Sequence, residues 1–306
     1  MTSALVVAGR GSGLSTFFGL LYTAEVRLGS EEADEFRFHV DRESIQRLGG
    51  IYGELGDGRF PESEVDWQRS PLTFLFARRR SPLGRLRGGA AADGEFVPFP
   101  VEIGGIPIDE VAELAERDAV LDPTTRRLLG SPIVLGLIAA TDLPTTDERP
   151  PQLVEEDRRL ATALGFVLRF RAGARRRAAR HLFPIFVMTK WDRVAPAAAE
   201  RLRLPPGPTI AWAASARADL AARLTSTVLP ATAAVLSSPP DRRVSVAPAE
   251  WFFSEVATEP GDPHRVRRRW RTPVGGWEPD YPYGEYHALL ERMGELAVRL
   301  PASDDA

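Results

Sequence analysis

Residues able to do chemistry gather at two places in the chain. The first is Ala8-Gly9-Arg10-Gly11-Ser12-Gly13-Leu14-Ser15-Thr16, which follows the apolar run Ala4–Ala8 and opens a helical pattern over Leu14–Arg27. Glycines in such a turn let successive backbone N–H groups point into one concavity, and the helix start adds its positive dipole, so the loop suits phosphate oxygens. Ser15 stands where the hydroxyl of a phosphate loop coordinates Mg²⁺. Two positions depart from that pattern: Ala8 replaces the first glycine, and Leu14 replaces the lysine that reaches the outer phosphates. A charge-assisted contact of that kind is worth roughly 1.5–3 kcal/mol, or about one to two decades of affinity. Its loss also removes a group that neutralises charge during phosphoryl transfer. Arg10 is the residue placed to lean over the phosphates instead. Taken alone, the loop also reads as a strand–helix turn whose glycines serve close packing.

The second place is Thr189-Lys190-Trp191-Asp192, directly after the apolar run Phe183–Met188. Of 39 basic residues only Lys190 is a lysine, in a chain rich in Arg, Ala, Pro and Gly. Lysine and arginine differ in shape and hydration, so a single lysine retained amid arginines points to a place where a guanidinium does not fit. The tetrapeptide resembles the guanine-specificity motif of GTPases, Asn/Thr-Lys-x-Asp. A carboxylate there accepts from the ring N–H and the exocyclic amine of guanine, a donor pair that adenine lacks. The lysine stem lies along the purine face.

Together the two motifs resemble the TRAFAC class of P-loop GTPases. The match is closest to bacterial double-GTPase-type domains of conflict and defence systems, through Val6–Tyr22, Arg37–Phe60, Pro282-Tyr283-Gly284 and Leu289-Leu290. The resemblance implies an α/β P-loop NTPase (Ras-like GTPase) fold, its central sheet mostly parallel, with helices on both faces and loop insertions. It implies GTP or GDP with Mg²⁺ as ligands. Gly9, Arg10, Gly11, Ser12, Gly13, Ser15 and Thr16 would surround the phosphates, Ser15 would hold the metal, and Thr189, Lys190 and Asp192 would read the base. The element that senses the γ-phosphate, Asp-x-x-Gly, is represented by Glu102-Ile103-Gly104-Gly105, with Glu for Asp. Asp142, after the run Ile133–Ala140, imitates an ATPase strand-end Asp and reads as a strand-end residue. The loop that closes the base pocket has two candidates, Ser215-Ala216 and the strand-like stretch Arg243–Val256. No switch threonine is picked out; Thr23 and Thr73 are equally unsupported. No catalytic residue is assigned. The expected activity is a degenerate GTPase, slow or inactive, serving as a switch or partner in a multi-protein bacterial system. The alternative is a nucleotide-free scaffold that pairs with an active GTPase, and a third reading is an ATP-using enzyme that employs Asp142.

The elements needed to position these motifs are visible in the patterning. Ala4–Ala8, Glu35–Val40, Pro71–Ala77, Phe96–Ile103, Ile133–Ala140 and Phe183–Met188 read as strands. Leu14–Arg27, Arg42–Leu55, Ile108–Ala119, Asp122–Gly130, Gln152–His181, Ala195–Leu204, Ala218–Ser237 and Gly284–Leu300 read as helices. Arg78–Gly94 and Glu259–Pro282 read as loops. Residues 1–300 form one expected domain, and 301–306 a disordered tail. The 306-residue chain holds no Cys and four His, never two at metal-ligand spacing, which argues against thiol chemistry and a zinc enzyme. Only three residues precede the first strand, and the longest apolar run falls short of the ~18–20 residues that span a bilayer, so the expectation is a cytoplasmic protein without a membrane span. Arginines cluster at Arg78–Arg80, Arg169–Arg180 and Arg265–Arg271, but the net charge is −3. That balance argues against nucleic acid and for a protein partner with an acidic face, another GTPase-like protein among the candidates.

Overall fold

The first strand, β1 (Thr2–Ala8), is buried along its whole length because it lies mid-sheet with helices on both faces. Strands covered on both sides read as continuous apolar runs, which is why Ala4–Ala8 shows no alternation. The computed structural model describes residues 2–28, 36–62, 71–79, 96–116, 121–174, 180–271 and 276–299. After β1 come α1 (Leu14–Leu28), β2 (Phe36–Val40), α2 (Arg42–Gly56), β3 (Leu72–Arg79), β4 (Phe96–Pro107), α3 (Ile108–Glu116) and α4 (Pro123–Leu129). The chain continues through β5 (Ile133–Ala139), α5 (Pro151–Ala172), β6 (His181–Thr189), α6 (Pro196–Arg201), α7 (Ala214–Val228) and α8 (Pro230–Ser237). It ends with β7 (Ser245–Val246), β8 (Glu250–Phe253), β9 (Thr258–Glu259), β10 (Asp262–Val266), β11 (Arg268–Trp270), β12 (Trp277–Pro279) and α9 (Tyr283–Arg299).

The central sheet runs β2-β3-β4-β1-β5-β6, and β6 then pairs with β7 at one end and β8 at the other. Pairings from β4 through β8 are parallel, while β2–β3 and β3–β4 are antiparallel. One core cluster packs Val6, Leu135 and Val187 under α1, α2 and α9, and the other packs Leu5, Val134 and Met188 under α3, α5 and α7. Each such aliphatic side chain contributes about 1.5–3 kcal/mol by leaving water. A mostly parallel sheet with helices on both faces, and a glycine-rich loop leaving the C-terminal end of its central strand, is the P-loop NTPase architecture expected from the sequence.

Several boundaries differ from the sequence reading. Strand β4 runs on to Pro107, which carries Glu102-Ile103-Gly104-Gly105 inside the strand rather than after it. Helix α5 stops at Ala172, and His181 belongs to β6. The stretch Ala218–Ser237 is two helices bent by 110° at the Pro230 break, because proline supplies no N–H to continue α7. Arg243–Val256 is two short strands with Pro248 between them. Glu259–Pro282 contains two ribbons, β9–β10 and β11–β12, rather than being loop throughout. Most of the loop Arg78–Gly94, part of the Arg169–Arg180 cluster and the tail 301–306 lie outside the described residues. Among the described residues no single helix is long and apolar enough to cross a membrane; the bent pair α7–α8 meets that composition only when its two helices are taken together.

Candidate nucleotide site

The loop after β1 is built by its glycines. Ser12 N–H donates to the Gly9 carbonyl at 3.2 Å, and Phe17 N–H to the Gly13 carbonyl at 2.8 Å as α1 begins. Gly11 and Gly13 take φ of 75° and 83°, values that a side chain would strain, and a Cβ at either would enter open space. Such a turn leaves a concavity floored by backbone, which suits an anion. Gly9 has a different reason to be glycine: a Cβ there would stand 2.7 Å from Oε1 of Glu156, on α5. Burial, reinforced by the nearby Asp142, pushes the Glu156 carboxyl up to about 7, against the opposing pull of Lys190. The Ser12 hydroxyl is buried and has no hydrogen-bond partner, so the loop holds a polar group still to be satisfied. Arg10 is exposed beside it.

Leu14, in the place of the phosphate-binding lysine, packs against the core cluster under α1. The expected sensor position is not at the loop at all. Glu102 is opposite Ser3 of β1, whereas the loop leaves β1 after Ala8, opposite Pro107. Five residues of strand separate the two levels, about 17 Å at 3.3 Å per residue. The buried Glu102 carboxylate instead pairs with the half-exposed Arg127 of α4, at 2.5 and 2.6 Å. The chain that follows β4 brings Asp109 into the first turn of α3, where it pairs with Arg159 at 2.5 Å. Of the two switch candidates, Thr23 is buried within α1 and donates to Gly19 at 2.7 Å, and Thr73 lies inside β3.

The second motif meets the loop at the ends of β6 and β8. The buried Thr189 hydroxyl donates to the Ser12 carbonyl at 2.6 Å and reaches the Ile138 carbonyl at 3.3 Å, so it ties the loop to β5 and β6. Lys190 adopts φ 54° and ψ 37°, the left-handed region that costs a non-glycine residue roughly 1–2 kcal/mol. The turn is held there by Trp191 N–H on the Ser254 carbonyl at 3.1 Å and Arg193 N–H on the Lys190 carbonyl at 2.9 Å. The Asp192 side chain, 21% exposed, stands 3.7 Å from Nε of Arg193 and accepts the Val256 N–H. Burial raises its carboxyl above the usual range despite these partners.

A cavity of about 280 Å³ joins the motifs, just under the roughly 300–1,000 Å³ usual for small-ligand sites. Gly13 and Thr16 line it from the loop, Lys190 and Asp192 from the turn after β6, and Ser254, Glu255 and Val256 from the chain after β8. Leu20, Phe60, Thr189, Arg193, Pro263 and His264 supply the remaining wall. The Arg193 guanidinium braces that wall, lying 5.9 Å from the Phe60 ring centre and donating to the Pro263 carbonyl at 2.6 Å. Ser254 bonds the buried Tyr286 hydroxyl of α9 at 2.7 Å, which fixes the chain after β8.

Of the two candidate stretches, Arg243–Val256 is the one that reaches the cavity, through Ser254-Glu255-Val256. Ser215 is an exposed residue of the first turn of α7 and does not line the cavity. Gly9, Arg10, Gly11, Ser12 and Ser15 do not line it either; they belong to the adjoining loop and helix start. Phe60, Glu255 and His264 escaped the sequence reading, and the one available signal was the Ser at the end of an aromatic strand, Trp251-Phe252-Phe253-Ser254.

The residues fit a guanine nucleotide on two observations: the open backbone cradle at Gly11 and Gly13 with the orphaned Ser12 hydroxyl, and a carboxylate and a lysine that both line the adjoining cavity. Among the described residues no group of three or more His, Asp or Glu is placed to hold a metal ion. Mg²⁺ would therefore rest on Ser15 and the phosphates themselves.

No family model matches the chain, and no curated protein matches it. Among solved structures, 85% of the chain aligns over 94% of a chain from the signal recognition particle receptor SRb-GTP/SRX complex of Chaetomium thermophilum, at 12% identity and a TM-score of 0.36. A likeness that loose carries nothing further, and the fold rests on the strand order and loop geometry above.

Proposed function

We propose that the protein binds guanine nucleotides through a P-loop domain spanning residues 1–300 and hydrolyses them slowly or not at all. One observation carries the reading: Lys190, held in a left-handed turn, and Asp192 share a cavity with Gly13 and Thr16 of the glycine loop. In this reading Asp192 accepts the ring N–H and amine of guanine, and the Lys190 stem covers one purine face. Phe60 offers an apolar wall. Backbone N–H groups of the glycine loop other than that of Ser12, helped by Arg10 and Thr16, hold the phosphates, and Ser15 holds Mg²⁺. The ion supplies charge neutralisation at the phosphates when bound. Thr189 serves base reading indirectly, by locking the loop to the turn that carries Lys190.

Two features support weak turnover. The core-packed Leu14 offers no cation to the phosphates, and Glu102 is committed to Arg127, far from the loop. Base recognition without catalytic electrostatics suits a switch, or a nucleotide-stabilised partner, in a bacterial double-GTPase-type system of the TRAFAC class. The partner is a protein, with another GTPase-like chain the first candidate. The second reading, a nucleotide-free scaffold, is favoured by one observation: the carboxyl of Glu156 is pressed against Gly9, where it opposes an incoming anion.

Titration of a fluorescent GTP analogue, with and without Mg²⁺ and with ATP as competitor, separates these readings. Micromolar, Mg²⁺-dependent binding that ATP does not displace is the expected outcome. Absence of binding up to millimolar nucleotide would transfer the assignment to the scaffold.

A further inference from the structure

Glu255 is a second carboxyl in the cavity that holds Asp192. The two are not equivalent. Asp192 has stabilising neighbours, since Val256 N–H donates to it and the cations of Arg193 and Lys190 act on it. Burial first, then the charges of Asp192, Glu285 and Asp280, raise the Glu255 carboxyl above its ordinary value. Of those, Glu285 is paired with Arg217 and Asp280 with Arg267, so their countercharges are spent elsewhere. The remaining ionisable groups around Glu255 are Lys190 and Arg193 from the turn after β6, His264 from β10, and the buried Tyr286 of α9, whose hydroxyl also reaches the Glu255 carbonyl at 3.5 Å.

A ligand that fills the cavity expels water and makes two carboxylates in its lining harder to sustain. One must then carry a proton, and its surroundings select Glu255. A neutral acid donates where a carboxylate can only accept. Resting on the guanine reading of the same pocket, we propose that Glu255 is a specificity-determining residue that enters as the neutral acid, donating its O–H to a ring carbonyl while ionised Asp192 accepts the adjacent ring N–H. The pair therefore reads a lactam edge, C=O beside N–H. Guanine and hypoxanthine present that edge. Adenine presents an amine beside a bare ring nitrogen, so ionised Asp192 meets a second acceptor where guanine offers an N–H. Binding at a pH where the free Glu255 is ionised takes up one proton.

The test is the affinity of mant-GDP for the full chain between pH 6 and pH 8.5, in the wild type and in Glu255→Gln, whose amide donates at every pH. Calorimetry in buffers of different ionisation heat counts protons taken up. Wild-type affinity is expected to fall about tenfold for each pH unit above the carboxyl's own value, with uptake approaching one proton. Glu255→Gln is expected to vary less than about threefold over the range, and inosine diphosphate to follow the GDP slope in the wild type. GDP binding that is independent of pH overturns the role of Glu255 and leaves the guanine reading standing. An equal slope in Glu255→Gln does the same, and assigns the proton to His264 or Glu156. Absence of GDP binding at every pH overturns both.

Discussion

Single side chains in this protein do work that their positions in the sequence do not announce. Glu156 is the clearest case. In the unfolded chain its carboxyl has the usual value of 4.5, and in the folded protein burial lifts it to about 7. The folded state therefore binds more protons over that interval, so stability is complete below about pH 4.5 and declines as pH rises through 7. The full loss is about 3 kcal/mol. Glu156→Gln is expected to flatten the decline, as read by urea unfolding at pH 5 and pH 8.5; an unchanged pH slope would place the buried charge elsewhere. Thr189 acts differently. Thr189→Val keeps the shape but removes the 2.6 Å bond to Ser12, which costs about 1 kcal/mol of stability and loosens the loop. Nucleotide affinity in that variant is expected to drop several-fold with guanine preference intact. Lys190 and Asp192 were legible because both lie within four consecutive residues after an apolar strand. Glu156 was not, because its partner Gly9 is distant in sequence and only the α5–loop contact brings them together.

At the scale of elements, long-range polar pairs decide where strands and helices end. The outer edge of β8 is closed by one ion pair rather than by another strand. Arg217 of α7 meets Glu285 of α9 at 2.7 and 3.0 Å, then donates to the Trp251 carbonyl at 3.4 Å, while Glu285 accepts the Phe253 N–H at 3.4 Å. Capping exposed edge groups in this way discourages pairing with another chain. Arg217→Met leaves Glu285, 1% exposed, as an uncompensated buried charge and should cost about 3–5 kcal/mol. Adding Glu285→Gln should recover more than half of the loss in the same thermal-unfolding measurement; no recovery would mean that Arg217 acts through packing alone. Helix α8 has a similar anchor. Asp157 of α5, fully buried and paired with Arg149, accepts the N–H groups of Ala231 and Thr232 at 3.0 and 2.9 Å. This remote cap lets a new helix begin directly after the α7 break, and an unbroken apolar pattern over 218–237 conceals it. Central strands and α1 were readable because burial on both faces or on one stripe writes itself into composition. The ends of β4 and β8 were not, because register with β1 and β6 sets them.

For the whole molecule, the proposed function separates recognition from catalysis. The cavity is assembled from the ends of β6 and β8, with walls from the start of α1, Phe60 beyond α2, and β10, and its residues hold one another through Trp191, Ser254, Arg193 and Tyr286. The loop after β1 is glycine-built, but Leu14 packs against the core and Glu102 pairs with Arg127. Leu14→Lys is accordingly expected to raise GTP affinity about tenfold, the gain of one charge-assisted contact, without restoring turnover. Rapid hydrolysis in that variant would show that the missing lysine was the sole defect. The central claim, that Asp192 reads guanine, is tested most directly by exchanging the donor pattern on both sides. Xanthine replaces the amine of guanine with a carbonyl, so Asp192→Asn should lose GDP and gain xanthosine diphosphate, while the wild type prefers GDP. Reversed preference in competition titrations is the predicted result. An Asp192→Asn protein that still prefers GDP as strongly as the wild type would contradict the account.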